Sequence, residues 1–208
     1  MRPNVDLILK RLVKRYPEAK IALRSSNPLE LLIATILSAQ CTDERVNLVT
    51  QRLFRKYRSL QDYAAADLKE FEQDIRSTGF YHNKAKNILA AANMIRERFG
   101  GKVPARMEDI LLLPGVARKT ANVVLGNAYD IVEGIVVDTH VRRVSQRLDL
   151  TRNENPEKIE HDLMKLMPRS RWLHFSYLIQ ALGRDVCKAQ RPNHAHCVLN
   201  DVCPSSNI

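Results

Sequence analysis

The sequence predicts an all-α fold on three observations. Apolar residues recur at a spacing of three or four along most of the chain, which is the period of an amphipathic helix. Residues that typically start and stop helices bracket these stripes. Only residues 134–137 could form a strand, and we expect an extended connector there. With 208 residues, 45% of them hydrophobic, the chain can bury the core of one large domain or of two small lobes.

The first clear helix begins at Asn27-Pro28, a capping residue followed by proline at the first helical position. Its apolar run, residues 31–37, is too short to span a bilayer and is typical of a buried helix, which we expect to end near Ser38. Further helices are predicted, in order, over residues 46–57, 67–79, 88–99, 117–128, 139–148, 155–166 and 172–182. Three of them are expected to end at a glycine, namely Gly79, Gly100 and Gly183.

The chain carries a formal net charge of +10 at pH 7. Such an excess is typical of proteins that bind a nucleic acid, although it also fits a basic protein without such a partner. The first residues contain no apolar stretch that would act as an export signal, and so we expect a cytoplasmic protein. Its four cysteines are then expected to be reduced thiols or metal ligands rather than disulfides.

Residues 113–120, Leu-Pro-Gly-Val-Ala-Arg-Lys-Thr, predict two helices joined by a tight turn. Pro114 and Gly115 break the backbone after an apolar run, and a new helix begins at about Ala117. Free backbone N–H groups and the positive end of the second helix then point outward together, which is an anion-binding geometry. Lys119 lies in the first turn of that helix, where the dipole disfavours an ammonium. Burial would add to this effect and favour a nucleophilic amine.

Asp138, nineteen residues after Lys119, supplies a second group that chemistry on a nucleic acid would need. A neutral amine could attack the anomeric carbon of a deoxyribose, and a carboxylate would stabilise the positive charge that develops on the sugar. Each residue also has a simpler interpretation. Asp138 precedes a predicted helix and is a good N-cap, while Lys119 could be a solvated or phosphate-contacting side chain. The pair points to catalysis more strongly than either residue alone.

Four segments of the chain resemble the endonuclease III family, whose members are helix-hairpin-helix DNA glycosylases with AP lyase activity. Residues 113–124 and the segment Val-Asp-Thr-His-Val at 137–141 are similar to the family's signatures. Residues 31–43 and 77–85 are similar to its two DNA-facing loop regions. The resemblance covers nearly the whole chain.

This resemblance implies two helical lobes with a DNA cleft between them. One lobe is a six-helix barrel that contains the helix-hairpin-helix, expected at residues 20–130. The other lobe holds the metal-cluster loop and joins residues 1–19 to residues 131–208.

At the matching positions, the resemblance assigns Lys119 as the nucleophile that forms a Schiff base and Asp138 as the essential carboxylate. The N–H groups of Gly115 and Ala117 would hold a backbone phosphate, with Arg118 beside them as a further DNA contact. The family usually has glycine where this chain has Ala117. Alanine is costly there if φ is positive and harmless if the backbone is already helical, and we expect the second case.

The resemblance assigns two more loops to the DNA. Gln40 would probe the gap left by a flipped base, and Phe80 falls where the family often places an aliphatic wedge. An aromatic ring can still intercalate by stacking. Lys84, just after the wedge, is expected to contact the DNA. Arg143 and Arg147 could contact phosphate too, although most charged side chains on such a helix are solvated.

The C-terminal cysteines are the largest departure from the family pattern. The family carries Cys-x6-Cys-x2-Cys-x5-Cys there, which holds a [4Fe–4S] cluster, whereas this chain has histidine at the second position: Cys187, His194, Cys197 and Cys203. Three interpretations follow: an iron–sulfur cluster held by three thiolates and one imidazole, a zinc site with the same ligands, or an empty site. We expect the cluster, in a structural role, because the spacing is otherwise intact. His196 is an alternative fourth ligand, and Cys41 is remote.

The resemblance implies a bifunctional DNA glycosylase and AP lyase of base excision repair. It would excise oxidised or ring-saturated pyrimidines and cleave 3′ of the abasic site by β-elimination. The expected partner is double-stranded DNA with damaged bases or abasic sites; we expect a monomer that does not act at a membrane. The alternatives are a related glycosylase that acts on mismatched thymine, uracil or adenine, and a non-catalytic DNA-binding protein. The pair Lys119 and Asp138 argues against the last, since binding alone does not need it.

Overall fold

The structure, a computed structural model, describes residues 4–207 and is all-helical over that range, as predicted. Residues 134–137 lie in an extended connector, and no strand forms within the described residues. Short 3₁₀ turns cover Arg76–Thr78, Arg169–Arg171 and His194–His196. The α-helices within residues 4–207 are α1 (Val5–Arg15), α2 (Pro28–Leu37), α3 (Asp43–Lys56), α4 (Leu60–Ala64), α5 (Leu68–Ile75), α6 (Tyr81–Arg98), α7 (Met107–Ile110), α8 (Arg118–Ala128), α9 (Thr139–Arg147), α10 (Pro156–Met164) and α11 (Trp172–Asp185).

The chain divides into two compact units. Residues 22–133 form the contiguous unit, which holds α2 to α8. Residues 4–21 and 134–207 form the discontinuous unit, which holds α1, α9, α10 and α11.

The helix α2 lies in the core of the contiguous unit. Its residues 31–37 are all buried, and it packs against α3, α6 and α8. A helix that is apolar on every face is stable in water only when other helices enclose it. Asn27 caps its start by accepting a hydrogen bond from the N–H of Glu30 at 2.9 Å, and Ser38 follows its end, so both predicted bounds are confirmed. No helix within residues 4–207 is both long and apolar enough to cross a membrane.

The discontinuous unit has its core among α1, α9, α10 and α11, with Phe175 fully buried. Three ion pairs of the described residues join α1 to later parts of this unit, one of them between Asp6 and Arg171. Arg11 donates to Asp201 Oδ2 at 2.9 Å, and Arg15 donates to Asp185 Oδ2 at 2.9 Å. The two stretches of chain that make up this unit therefore pack and pair as one body.

The apolar stripes identified in the sequence do not predict α1. Its signal is Asn4, whose side chain accepts a hydrogen bond from the N–H of Leu7 at 3.0 Å. Asparagine is among the strongest N-cap residues.

Gly183 does not end α11, as the sequence predicts, because the helix continues past it to Asp185. A Cβ atom at Gly183 would lie 2.9 Å from Nδ1 and 3.0 Å from Cβ of His140, and 3.3 Å from Nη2 of Arg143. The glycine is therefore needed for the close packing of α11 against α9. The other two predicted stops, Gly79 and Gly100, do follow the ends of helical segments.

We expect Gly183→Ala to destabilise the protein by about 1–3 kcal/mol, because the added methyl group has no room against His140. The usual effect of this substitution inside a helix is the opposite, a stabilisation of about 0.5–1 kcal/mol. Urea unfolding of both proteins, followed by circular dichroism, measures the sign. An unchanged or higher midpoint for the variant would contradict the close packing of these two helices.

Candidate active site

The turn between α7 and α8 can be made only with glycine at position 115. Gly115 has a φ of 78°, which side-chain-bearing residues rarely adopt. A Cβ atom there would also lie 2.9 Å from the Cβ of Asn87 on α6. The arrangement predicted from residues 113–120, two helices joined by a tight turn, is therefore present, with α7 ending at Ile110.

The N-terminus of α8 has no side-chain cap. Its N-cap residue is Ala117, with φ −98° and ψ 172°. Because φ is negative, alanine is harmless there, as expected. The backbone at Ala117 is extended, however, and not helical as we expected. Arg118 is the first helical residue and is half-buried. By contrast, side chains cap α1, α2, α3, α4, α5, α9 and α10. The first N–H groups of α8 have no acceptor within the helix, and so they can bind an anion.

Lys119 is the second residue of α8 and is exposed. The burial that would favour a nucleophilic amine is therefore not present at Lys119, and its exposure fits the simpler interpretation of a solvated or phosphate-contacting side chain. The amine is accessible to a reactant beside the uncapped helix end, and it belongs to the contiguous unit.

Asp138 is the N-cap of α9, and it belongs to the discontinuous unit. Its Oδ1 accepts a hydrogen bond from the N–H of Val141 at 2.8 Å, and the residue is half-buried. The capping interpretation is thus correct, but it uses one carboxylate oxygen. A carboxylate has capacity for further hydrogen bonds and keeps its charge while it caps, so capping leaves a catalytic role open.

The connector before Asp138 is held from the neighbouring helix. The N–H of Val136 donates to Ser176 Oγ on α11 at 3.0 Å, and Val136 and Val137 are buried. His140 follows on α9. Burial is the main reason that the pKa of His140 is below its ordinary value; Asp138 opposes this shift, and Arg143 and Arg184 add to it. Burial of His140 thus favours the neutral form of the imidazole.

Gln40 and Phe80 both lie at exposed turns with left-handed backbone. Gln40 has a φ of 53° and follows the end of α2; Phe80 has a φ of 49° and precedes α6. The Phe80 side chain is 65% exposed, which is unusual for a large apolar residue. Both side chains are accessible to a ligand, as their predicted roles require.

Lys84 does not have the place that the sequence predicts for it. Its side chain is only 5% exposed, and its ammonium donates to the carbonyl oxygens of Leu37 and Thr78, each at 2.8 Å. A phosphate cannot reach it in this position. The prediction of a DNA contact at Lys84 is therefore wrong, and the residue has an internal role instead.

The four predicted metal ligands line one pocket in the discontinuous unit, namely Cys187, His194, Cys197 and Cys203. His194 Nδ1 accepts a hydrogen bond from the N–H of Asn207 at 3.0 Å. His196 is exposed and lies 2.9 Å from Asn193 Oδ1 through its Nδ1. As they stand, no three histidine, cysteine or acidic side chains within residues 4–207 are grouped closely enough to hold a metal ion.

The thiols of this pocket interact electrostatically with one another. Burial is the main cause that raises the pKa values of Cys197 and Cys203, and the neighbouring Cys187 raises both further. Thiols of this kind must lose their protons when they bind a metal. Arg147 Nη1 lies 3.2 Å from the sulfur of Cys187. Three thiols and a guanidinium in one pocket fit an anionic metal–thiolate group.

Arg143 and Arg147 are bound to the protein itself, so they are not the solvated or phosphate-binding side chains expected from the sequence. Arg143 Nη2 donates to the carbonyls of Gly183 and Cys187, each at 3.0 Å. Arg147 donates to the carbonyls of Lys188 at 2.7 Å and Ala189 at 3.0 Å. The sequence offers no local signal for these bonds. They hold the segment that begins at Cys187 against α9.

Residues 33–169 match the family model described as HhH-GPD superfamily base excision DNA repair protein. The chain is 54% identical to endonuclease III of Synechocystis sp. over 98% of this chain and 91% of that protein. It is 45% identical to endonuclease III of Bacillus subtilis over 96% of this chain and 91% of that protein. A solved structure of a trapped endonuclease III–DNA covalent intermediate, an estranged-adenine complex, superposes with a TM-score of 0.93 at 45% identity, covering 97% of this chain and 94% of that one. The chain belongs to the endonuclease III family within the HhH-GPD superfamily of base excision DNA repair proteins.

Proposed function

We propose that the protein is a bifunctional DNA glycosylase and AP lyase that excises oxidised pyrimidines from duplex DNA and cleaves 3′ of the resulting abasic site. The observation that carries this proposal is the position of Lys119, an exposed amine in the first turn of a helix that no side chain caps. The covalent DNA intermediate of the 45% identical relative supports a nucleophile in this family. In this proposal the protein acts in the cytoplasm and as a monomer.

Duplex DNA is held through its phosphates. The N–H groups of Gly115 and Ala117 and the first turn of α8, with Arg118, bind one backbone phosphate at the positive end of the helix. Gln40 and Phe80 enter the duplex where the damaged nucleotide leaves the stack. The net charge of +10 adds a sequence-independent attraction.

The chemistry uses the two predicted groups in succession. The neutral amine of Lys119 attacks C1′ of the deoxyribose, and the N-glycosidic bond breaks with its electron pair leaving on the base. Asp138 stabilises the positive charge that develops on the sugar. The attached nitrogen loses one proton to the departing base. The C1′–O4′ bond then breaks with its electron pair leaving on O4′, which takes up a proton, and the resulting protonated Schiff base joins Nζ of Lys119 to C1′. Loss of a proton from C2′ then expels the 3′ phosphate.

We also propose that Cys187, His194, Cys197 and Cys203 hold a [4Fe–4S] cluster. When bound, such a cluster supplies a rigid cross-link among its ligands, and no redox step is needed. Ligation through His194 Nε2 requires the proton to move to Nδ1, so the imidazole would exchange its hydrogen bond from Asn207 for one that it donates. Basic residues of the same segment, Lys188 and Arg191, are exposed and available to phosphate.

The two units correspond, in this proposal, to the two lobes of the family. We assign the six-helix barrel with the hairpin, expected at residues 20–130, to the contiguous unit at residues 22–133. We assign the metal-cluster lobe, expected at residues 1–19 and 131–208, to the discontinuous unit.

Borohydride trapping tests the reaction. We expect the wild-type protein to form a covalent adduct with a duplex that contains an oxidised pyrimidine or an abasic site, because borohydride reduces the Schiff base. Lys119→Gln should form no adduct, and Lys69→Gln, at an exposed lysine on α5, should form as much as the wild type.

The matched acid variant is Asp138→Asn. Asparagine caps a helix as well as aspartate does, so the free energy of unfolding of the variant should change by less than about 0.5 kcal/mol. Its turnover should fall about 10²-fold or more, because the amide carries no negative charge to stabilise the sugar.

If the wild type traps on no damaged duplex, the lyase proposal is wrong, and the two alternatives that are left are a glycosylase without lyase activity and a non-catalytic DNA-binding protein. If Asp138→Asn keeps full turnover, the carboxylate is only a cap.

Gly115→Ala tests the phosphate contact of the hairpin. We expect its affinity for duplex DNA to fall about tenfold, since the left-handed backbone costs alanine about 1–2 kcal/mol and Asn87 blocks its Cβ atom. The slope of log K against log salt should also become shallower by about one phosphate contact. Ala117→Gly is the control, because its extended backbone accepts either residue. Fluorescence anisotropy at several salt concentrations gives both quantities; equal slopes for the wild type and Gly115→Ala would exclude the contact.

Metal analysis of the purified protein tests the cluster. We expect a coloured protein with about four irons per chain. Cys197→Ser should lose the colour and the iron, whereas Cys41→Ser, at the cysteine outside the pocket, should keep both. A colourless protein with one zinc per chain would refute the iron–sulfur assignment.

A further inference from the structure

Lys84 is a buried lysine that the proposed chemistry does not use. It lies in the first turn of α6, and its side chain is 5% exposed. Lysine is almost never buried so fully unless its charge has partners. Its two acceptors are neutral carbonyl oxygens, those of Leu37 and Thr78, each at 2.8 Å. Burial is the main cause that lowers the pKa of Lys84, and Cys41 opposes this shift.

The two carbonyls belong to two different helix ends. Leu37 is the last residue of α2, and Thr78 is the last residue of the 3₁₀ turn Arg76–Thr78. Carbonyls at helix ends lack intrahelical partners, and a positive charge is favourable there. One ammonium therefore caps both ends and fixes the distance between them.

Each helix end leads directly into a strained turn. Gln40 follows Leu37 by three residues, and Phe80 follows Thr78 by two; both have positive φ, 53° and 49°. Non-glycine residues keep such a backbone only where the surrounding structure enforces it. The groups held in this way are one exposed amide and one 65% exposed ring, which have little packing of their own.

We propose that Lys84 is a positioning residue that holds the turn at Gln40 and the turn at Phe80 in a fixed mutual arrangement, so that both side chains can enter a duplex together. This inference rests on the proposed function, since it concerns how a nucleotide is extruded from DNA. Lys84 contacts neither the substrate nor the reacting atoms. Because Lys84 orders the two turns before DNA binds, the turns lose less conformational entropy on binding.

This positioning role predicts which step of the reaction becomes slower when an uncharged residue replaces Lys84. Lys84→Met keeps the length of the side chain and removes the charge and both hydrogen bonds. Extrusion of a base from a paired duplex needs both turns in place, because unstacking must be offset by what is inserted. Attack of Lys119 on a preformed abasic site has no base to extrude and depends less on them.

A double-mutant cycle with Phe80→Ala tests this role. Single-turnover excision from a paired duplex and the brightening of a fluorescent base analogue beside the lesion are measured in four proteins: the wild type, each single variant and the double variant. We expect Lys84→Met to slow both signals about tenfold when Phe80 is present and less than about twofold in the Phe80→Ala background. Borohydride trapping on a preformed abasic site should change less than about threefold in Lys84→Met. Lys69→Met, at the exposed lysine on α5, is the matched control and should behave as wild type.

Equal slowing by Lys84→Met in both Phe80 backgrounds would overturn the proposal, because a general loss of structure does not depend on Phe80. No slowing in either background would overturn it too. If Lys84→Met does not fold, Lys84→Gln replaces it in the same cycle; its amide is neutral and too short to reach both carbonyls. Trapping by the wild type is the separate readout of the proposed function. If that trapping fails, the function is wrong; if only the coupling to Phe80 fails, this inference alone is wrong.

Discussion

The backbone turn at Gly115 is the constraint on which the proposed chemistry depends. It needs a positive φ, and it approaches Asn87 so closely that a Cβ atom has no room. That close approach fixes where α8 starts, and hence where the uncapped N–H groups and the amine of Lys119 lie. Asn87 and Lys84 are three residues apart and so lie on the same side of α6. The same face of α6 thus contacts the hairpin through Asn87 and, through Lys84, the helix ends that precede the turns at Gln40 and Phe80.

Features with a local signal could be predicted from the sequence. Asn27 before proline, Asp138 before an apolar stripe and the Pro-Gly break before α8 each act within a few residues, and each has the structural place expected of it. The exposure of Lys119 was not predictable in the same way, since it depends on what the rest of the chain leaves uncovered.

Features that depend on distant contacts could not be predicted. Lys84 and Leu37 are 47 residues apart, and Arg143 and Cys187 are 44 apart. In the sequence, both cations look like ordinary basic residues near a DNA-binding motif. Gly183 is similar: a glycine near a helix end usually stops the helix, and only the neighbouring α9 shows why it lies inside one.

The helix α9 links two predicted sites. Asp138 caps its start, while Arg143 and Arg147 hold the segment that begins at Cys187. Guanidinium groups present several donors in a rigid plane, which suits a run of carbonyls. The carboxylate lies at the start of α9, the same helix holds the first part of the segment that lines the cysteine pocket, and both lie in the discontinuous unit.

The pairing of α1 with Asp201 and Asp185 has a consequence for synthesis on the ribosome. Residues 22–133 are complete as a unit when the chain has emerged that far, and they can fold at once. The helix α1 is made first but must wait for α11 and the segment around Asp201, almost the whole length of the chain later. Until then its apolar face has no native partner. The contiguous unit can therefore form early, through contacts between residues that are near in sequence. The discontinuous unit forms late, because its contacts close a long loop of the chain.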